Sequence, residues 1–278
     1  MTSTTRVTLP TRDLTERIGT EILADKGALL SGAHAGAIRG LLEQRGVLVF
    51  PQIGFTEAEQ VAFTETLGTL APERDGAAVY DVTLDTSVNK QADYLKGSFY
   101  WHLDGTMNQV PILASLLSSK VLPAGGGGDT EFCNTYAAYD ELSEHDKQQL
   151  DSLRAMHSAW NSLLYYDPEP EAATLQQMMA IGQCELPLVW THRSGRKSLI
   201  LGCTASHILG MEYSQSTETL VRLRDWATQP QFVYRHQWSV GDLVMWDNTG
   251  TMHRARPYDP ASGRMLHRTK LAGEEPFA

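Results

Sequence analysis

The chain has 278 residues, 42% hydrophobic and 20% charged, and its 23 Lys and Arg against 33 Asp and Glu leave a formal charge of −10. This is ordinary globular usage with ample chain to bury a core, so disorder is not the default. The acidic balance repels phosphate backbones and anionic headgroups, so neither nucleic acid nor a membrane surface is an expected partner, and no apolar run approaches the roughly 18 residues of a membrane span.

The opening residues 1–6 lack the apolar core of a signal peptide. Residues 31–45 have helical character and stop at Gly46, a helix-ending glycine. Val47-Leu48-Val49-Phe50 then reads as a short buried strand ended by Pro51. Thr56-Glu57-Ala58-Glu59 is a capping box that opens a helix towards Leu67 and Gly68. From about residue 98 the pattern turns to strands, expected at 99–104, 112–121, 186–192, 197–202, 232–240, 242–246, 252–256 and 265–270. Helices are expected at 143–153 and 217–227, and Ser194-Gly195 marks a hairpin. The glycine cluster at 125–128 is a turn signal rather than a linker. No repeat divides the chain, so one domain over 1–278 is expected, of α+β class, with a jelly-roll core and helical cover. Cys133, Cys184 and Cys203 form no CxxC pair and read as reduced thiols of a cytoplasmic protein.

The most informative segment is Tyr100-Trp101-His102-Leu103-Asp104-Gly105. In an extended strand His102 and Asp104 point to one side and Leu103 to the other, so an imidazole and a carboxylate can reach one metal ion. His253, after Asp247-Asn248-Thr249-Gly250, is the candidate third ligand. Two histidines and one carboxylate form the facial triad of non-haem Fe(II) oxygenases. The same residues are also read as a chance His-x-Asp pair and a structural histidine. Arg264 follows a turn at 258–263, and period two puts Arg264, Leu266 and Arg268 on one face and His267 on the other. A guanidinium grips a carboxylate with two parallel hydrogen bonds, so inward arginines imply an anionic ligand; the alternative is a surface position on an edge strand. His145, His157, His192, His207 and His236 have no second ligand at metal spacing and read as surface or structural residues.

With these pieces the chain resembles the taurine dioxygenase/2,4-dichlorophenoxyacetate dioxygenase (TauD/TfdA) family. The matching segments are Trp101-His102-Leu103-Asp104, Gly127-Gly128-Asp129-Thr130, Gly241-Asp242-Leu243-Val244-Met245-Trp246-Asp247-Asn248, His253 and Arg264-Met265-Leu266-His267-Arg268. The resemblance runs from about residue 97 to the end, with a weaker extension through 45–50 and 67–70. It implies a double-stranded β-helix (cupin-like) core, and a dioxygenase that couples oxidation of a small organic acid or hydrophobic metabolite to decarboxylation of 2-oxoglutarate to succinate. It implies Fe(II) on His102, Asp104 and His253, with 2-oxoglutarate and O2 as cosubstrates. Arg264 and Thr130 would bind the distal carboxylate of 2-oxoglutarate, and Trp246 would lie close to the metal; the alternative for Trp246 is a core aromatic.

The resemblance also assigns a substrate pocket. Arg268 occupies the position where relatives hold an acidic group of the substrate. Ser98 and Met107 stand where taurine-hydroxylating relatives carry Asn and Phe, which points away from taurine itself. The stretch 160–182, with Leu163-Leu164-Tyr165-Tyr166 and Met178-Met179, corresponds to an insertion that covers the site in relatives. There Tyr165 and Tyr166 would suit an apolar or aromatic substrate body; the alternative is an amphipathic helix packed on the sheets. Relatives are often dimers or tetramers, so a homo-oligomer is expected. Two other functions compete: a zinc hydrolase on the same three ligands, which leaves Arg264 and Thr130 without a task, and a non-catalytic jelly-roll binding protein.

Overall fold

Val47 to Phe50 form a strand that is buried along its whole length because both of its faces are covered. Val47 and Val49 look to an inner core with Leu117, Val244, Trp246 and Leu266. Leu48 and Phe50 look to an outer core with the helical residues Ile38, Leu42, Phe63 and Leu67. The two-residue period of a strand makes this division. The computed structural model describes residues 8–73 and 76–277. It builds a seven-stranded sheet around this strand, in the order Thr11–Asp13, Thr20–Ile22, Val47–Phe50, Leu243–Asp247, Ala114–Val121, Met265–Leu271 and Tyr80–Val82. Every pairing is antiparallel except that of Thr20–Ile22 with Val47–Phe50.

A second sheet of three antiparallel strands, Val233–His236, Thr130–Asn134 and Thr251–Ala255, faces the first. Phe132 from its middle strand enters the inner core, its ring 5.5 Å from that of Trp246. The other side of this sheet, through Cys133 and Met252, joins a separate core with Trp101, Leu103, Trp190 and Leu223. That core is covered by a three-stranded sheet (Ala205–Ile208, Arg154–Ser158, Gln183–Pro187), by the pair Val189–Thr191 and Lys197–Leu199, and by the helix Tyr213–Ala227. The fold is therefore mixed α/β, with several sheets and helices on the outside. Among the described residues no helix is long and apolar enough to cross a membrane.

The local signals account for much of this. The helix Ala35–Arg45 ends at Gly46, whose φ of 69° only glycine adopts at little cost. Thr56 closes both bonds of its capping box with Glu59, at 3.2 and 2.8 Å, and opens the helix Glu57–Leu67.

Three expectations change. Residues 99–104 form no regular strand: Tyr94–Phe99 is a 3-10 helix, and the extended part contributes one bridge, His102 with His253. The strand expected at 186–192 divides at Leu188, and its halves pair in different sheets; Pro187, which has no N–H to donate, ends the first half. The stretch 160–182 folds as two helices, Ala159–Tyr166 and Ala172–Ile181, packed on each other through Leu163 and Met178.

Candidate metal centre

His102 and His253 exchange both backbone hydrogen bonds across their bridge, His253 N to His102 O at 2.9 Å and His102 N to His253 O at 3.1 Å. Side chains directly opposite across two strands lie on one face, and the two imidazole rings are 4.1 Å apart. Their neighbours face the other way, with Arg254 stacked on Trp101 at 4.6 Å. Asp104, two residues beyond His102, returns to the histidine side. His102, Asp104 and His253 each offer a ligand atom within 4.8 Å of the others. The Tyr100 carbonyl lies 2.8 Å from His102 Nδ1, which turns Nε2 towards Asp104 Oδ1 at 3.7 Å. His253 Nε2 lies 3.8 Å from Asp104 Oδ2. Ser115 donates to Asp104 Oδ2 at 3.1 Å and accepts from Asn248 Nδ2 at 2.9 Å, a two-step support behind the carboxylate.

The electrostatics suit a cation. Burial opposes the charged form of Asp104, but His253, Arg268, His102 and the Ser115 hydroxyl outweigh it and hold its pKa down at about 2. Burial, with His102 and Arg268, lowers His253 to about 3 against the pull of Asp104. Near neutral pH the site thus presents a carboxylate and a neutral imidazole, the forms that bind metal. Trp246, whose ring is 4.7 Å from that of His253, walls the inner side.

A second cluster lies around the glycine turn. Arg264 is 3% exposed and has no carboxylate within ion-pair distance among the described residues. It donates through Nη2 to the Gly128 carbonyl at 2.8 Å and stacks on Tyr258 at 4.5 Å, while its Nε is buried without a partner. A Cβ on Gly128 would stand 2.6 Å from that Nε, at a φ of +75°, so the guanidinium occupies room that only glycine leaves. Thr130, two residues on, accepts from Trp238 Nε1 at 3.1 Å and keeps its own hydroxyl proton to donate. A buried guanidinium whose Nε lacks a partner, packed against the glycine two residues before a free hydroxyl donor, fits a carboxylate.

Arg268 projects from the inner face of Met265–Leu271 towards the metal trio, where its charge acts on both Asp104 and His253. The register with Ala114–Val121 shifts between Met265 and Leu266, so Arg264 sits just outside the strand, at the glycine turn. Met107 is half-buried in the turn after Asp104. Ser98 donates to the Leu95 carbonyl at 2.6 Å within the 3-10 helix, and Tyr166 packs over Gly97 of the same segment. Tyr165 packs on Tyr100 at 5.2 Å and lines a cleft of about 290 Å³ with Trp101, Cys203, Arg224 and Arg254. Trp101 and Arg254 mark the side of the bridge turned away from the histidine rings, while Tyr100, on which Tyr165 packs, also lines this cleft. Of the remaining histidines, His157 meets Thr204, His192 meets Ser198, and His236 meets Tyr234 and Asp242; none joins the trio.

Several members of these clusters carry little signal in the chain. Ser115 could have been suspected as a polar residue on the inner face of an apolar strand, and Asn248 as the last residue of a motif. Trp238 and Tyr258 carry no pattern, because their roles depend on how loops return.

Two imidazoles and one carboxylate on a sheet scaffold, together with a buried arginine free of any carboxylate among the described residues, are the set expected of an oxygenase of the two-histidine, one-carboxylate class. Comparison with known proteins gives the family. The family described as "Taurine catabolism dioxygenase TauD, TfdA family" matches residues 10–270, and the chain belongs to it. The chain is 39% identical over 270 residues to the α-ketoglutarate-dependent 2,4-dichlorophenoxyacetate dioxygenase of Burkholderia sp. (strain RASC), covering 90% of this chain and 89% of that one. It is 36% identical over 239 residues to the (S)-phenoxypropionate/α-ketoglutarate dioxygenase of Sphingobium herbicidovorans, covering 82% of each. The crystal structure of AAD-2 with Mn(II) and N-oxalylglycine superimposes with a TM-score of 0.83 at 32% identity, over 98% of this chain and all of that one. The chain is thus an oxidoreductase, an α-ketoglutarate-dependent dioxygenase that uses Fe(II), 2-oxoglutarate and O2.

Proposed function

We propose that His102, Asp104 and His253 hold Fe(II), that Arg264 and Thr130 grip the distal carboxylate of 2-oxoglutarate, and that Arg268 takes the acid group of a small organic acid. The observation that carries the reading is the pairing of a three-ligand cluster within 4.8 Å with a buried Arg264 whose Nε lacks a partner. A zinc hydrolase would need the first feature and not the second. When bound, iron with 2-oxoglutarate and O2 supplies oxidation of an unactivated C–H bond, coupled to decarboxylation of the cosubstrate to succinate.

The chain's own part is placement and exclusion of water. Ser115 holds one oxygen of Asp104 at 3.1 Å, so the other oxygen would be the one free to hold the ion. Trp246 and Phe132 form a dry wall behind His253. Ser98, Met107 and Tyr166 line the mouth, with the helices Ala159–Tyr166 and Ala172–Ile181 as its cover; Tyr165 supports Tyr100 from outside. An aryloxyalkanoic acid, the class named for the two relatives above, is the first candidate substrate. The two facing sheets are read as the halves of a double-stranded β-helix within one domain.

The test is anaerobic. Adding Fe(II) and 2-oxoglutarate to the protein should produce a weak visible charge-transfer band, which His102→Ala and Arg264→Ala should lose. A screen for succinate release across aryloxy acids, alkyl sulfates, sulfonates and apolar metabolites then finds the substrate. Absence of the band in the wild type, or an unchanged band in His102→Ala, overturns the assignment.

A further inference from the structure

Arg268 shares the inner face of its strand with a second cation. The two-residue period places Lys270 beside it, and Lys270 pairs across the sheet with Ser115, the residue that holds Asp104. Lys270 is 9% exposed, and its Nζ donates to Glu73 Oε2 at 2.8 Å. The same carboxylate receives Arg268 Nη2 at 3.3 and 3.4 Å, and only 11% of the Glu73 side chain is exposed. Glu73 is held there by its backbone: its N–H bonds the Ala77 carbonyl at 2.8 Å, and nearby Ala71 bonds the Lys270 carbonyl at 2.8 Å.

Among the described residues, two cations and one carboxylate leave one surplus positive charge beside the metal trio, and the geometry says where it sits. Lys270 has the short contact to Glu73. Arg268 has two long ones to a single nitrogen, its Nε is buried without a partner, and its guanidinium rests on the Tyr80 ring at 4.9 Å. Lys270 is therefore the cation that Glu73 neutralises, and Arg268 keeps an open edge able to take an acid group through two hydrogen bonds. Without Glu73, two unneutralised cations on adjacent same-face positions would form a clamp for a doubly charged anion.

We propose that Glu73 is a specificity-determining residue: by cancelling the charge of Lys270 it limits the acid subsite to one positive charge and selects singly charged substrates, such as carboxylates and sulfate monoesters, over dianions such as phosphate monoesters. The inference rests on Arg268 as the substrate's anchor. A dianion here would leave one negative charge uncompensated in a buried pocket that already holds the Asp104 carboxylate, which is strongly disfavoured.

The test uses phenoxyacetate as the monoanion and phenyl phosphate, above its second ionisation, as the dianion. Each is titrated by calorimetry into the protein loaded with Mn(II) and N-oxalylglycine. Wild type should prefer phenoxyacetate. Glu73→Gln should move the ratio of the two dissociation constants by about tenfold or more towards phenyl phosphate, since specificity is a difference of two affinities. Lys270→Met frees Glu73 to neutralise Arg268 and should weaken phenoxyacetate by about tenfold. The double variant, which again carries one cation and no carboxylate, should recover a near wild-type ratio. A ratio unchanged in Glu73→Gln, or a phenoxyacetate affinity unchanged in Lys270→Met, overturns the proposal, as does failure of every form to bind either anion. The charge-transfer band on the same wild-type protein reports separately whether the iron and 2-oxoglutarate assignment stands.

Discussion

His102 and His253 lie opposite one another across a single two-bond bridge, and that bridge, with Arg254 stacked on Trp101, aligns the irregular segment 100–104 with the strand Thr251–Ala255. The side chains of the proposed metal centre therefore come from one ordered strand and one segment with little regular structure of its own. A cation that joins His253 to His102 and Asp104 should tie the segment down. Mn(II) at about 100 times its dissociation constant should add about 2.7 kcal/mol to stability by mass action. Thermal unfolding with and without Mn(II) measures it. Asp104→Ala should show no such gain, and an equal gain in that variant would mean that the ion binds elsewhere.

Ser115 is fully buried on the inner face of Ala114–Val121 and stands between Asn248 and Asp104. Supports of this kind orient the ligand they touch, and their loss typically weakens metal binding by about 10- to 100-fold. Ser115→Ala should fall in that range for Mn(II) by calorimetry. It should also alter the visible spectrum of the Co(II) form, because Asp104 is then free to coordinate through both oxygens. Ser115→Thr, which keeps the hydroxyl, should restore the spectrum. A variant that loses thermal stability but keeps wild-type metal affinity would make Ser115 a packing residue only.

The Gly128 and Arg264 arrangement predicts a separable defect. A Cβ at residue 128 would stand 2.6 Å from Arg264 Nε, and a non-glycine residue at that positive φ costs about 1–2 kcal/mol before any clash is counted. Gly128→Ala should therefore displace the guanidinium and abolish N-oxalylglycine binding at concentrations that saturate the wild type, while Mn(II) affinity stays within about twofold. Loss of both affinities together would show that the two clusters are not independent.

The contrast between these sites also shows what the chain discloses. His102 and Asp104 were readable because a strand's period is local: two residues apart means the same side, even where the expected strand at 99–104 is reduced to one bridge. The capping box at Thr56 and the glycine stop at Gly46 were readable for the same reason. Arg264 was expected to face inward by alternation with Arg268. It does lie inward, but through a register shift that alternation alone does not disclose. Glu73 was unreadable, since nothing near it distinguishes one loop carboxylate from another, and its partners lie 195 and 197 residues away. Tyr165 shows a further limit: its place in the covering segment is legible, but the contact of its ring with Tyr100 and the cleft it lines depend on how the helix Ala159–Tyr166 docks.

Buried histidines set the pH response of the metal-free protein. Burial lowers His157 to about 4. Burial and the nearby Arg196 do the same to His192, also to about 4. His253 is held at about 3, by burial first and then by His102 and Arg268. Each has its ordinary value near 6.5 when unfolded, so below that pH the unfolded chain binds protons that the folded chain refuses. Stability therefore falls as pH drops from about 6.5 through about 4. Asp104 adds a loss at the acid end, as pH falls from 3.8 through about 2. Asp247 acts in the opposite sense between 3.8 and about 6, because burial raises its pKa, but one carboxyl is set against three imidazoles. Denaturant midpoints of the metal-free protein should thus decrease steadily from pH 7 to pH 4.5. Mn(II) should steepen the decrease, because protons then also compete with the ion for His253. His157→Asn should flatten the metal-free curve by removing one of the three groups, and an unchanged slope in that variant would show that His157 is protonated in the folded state.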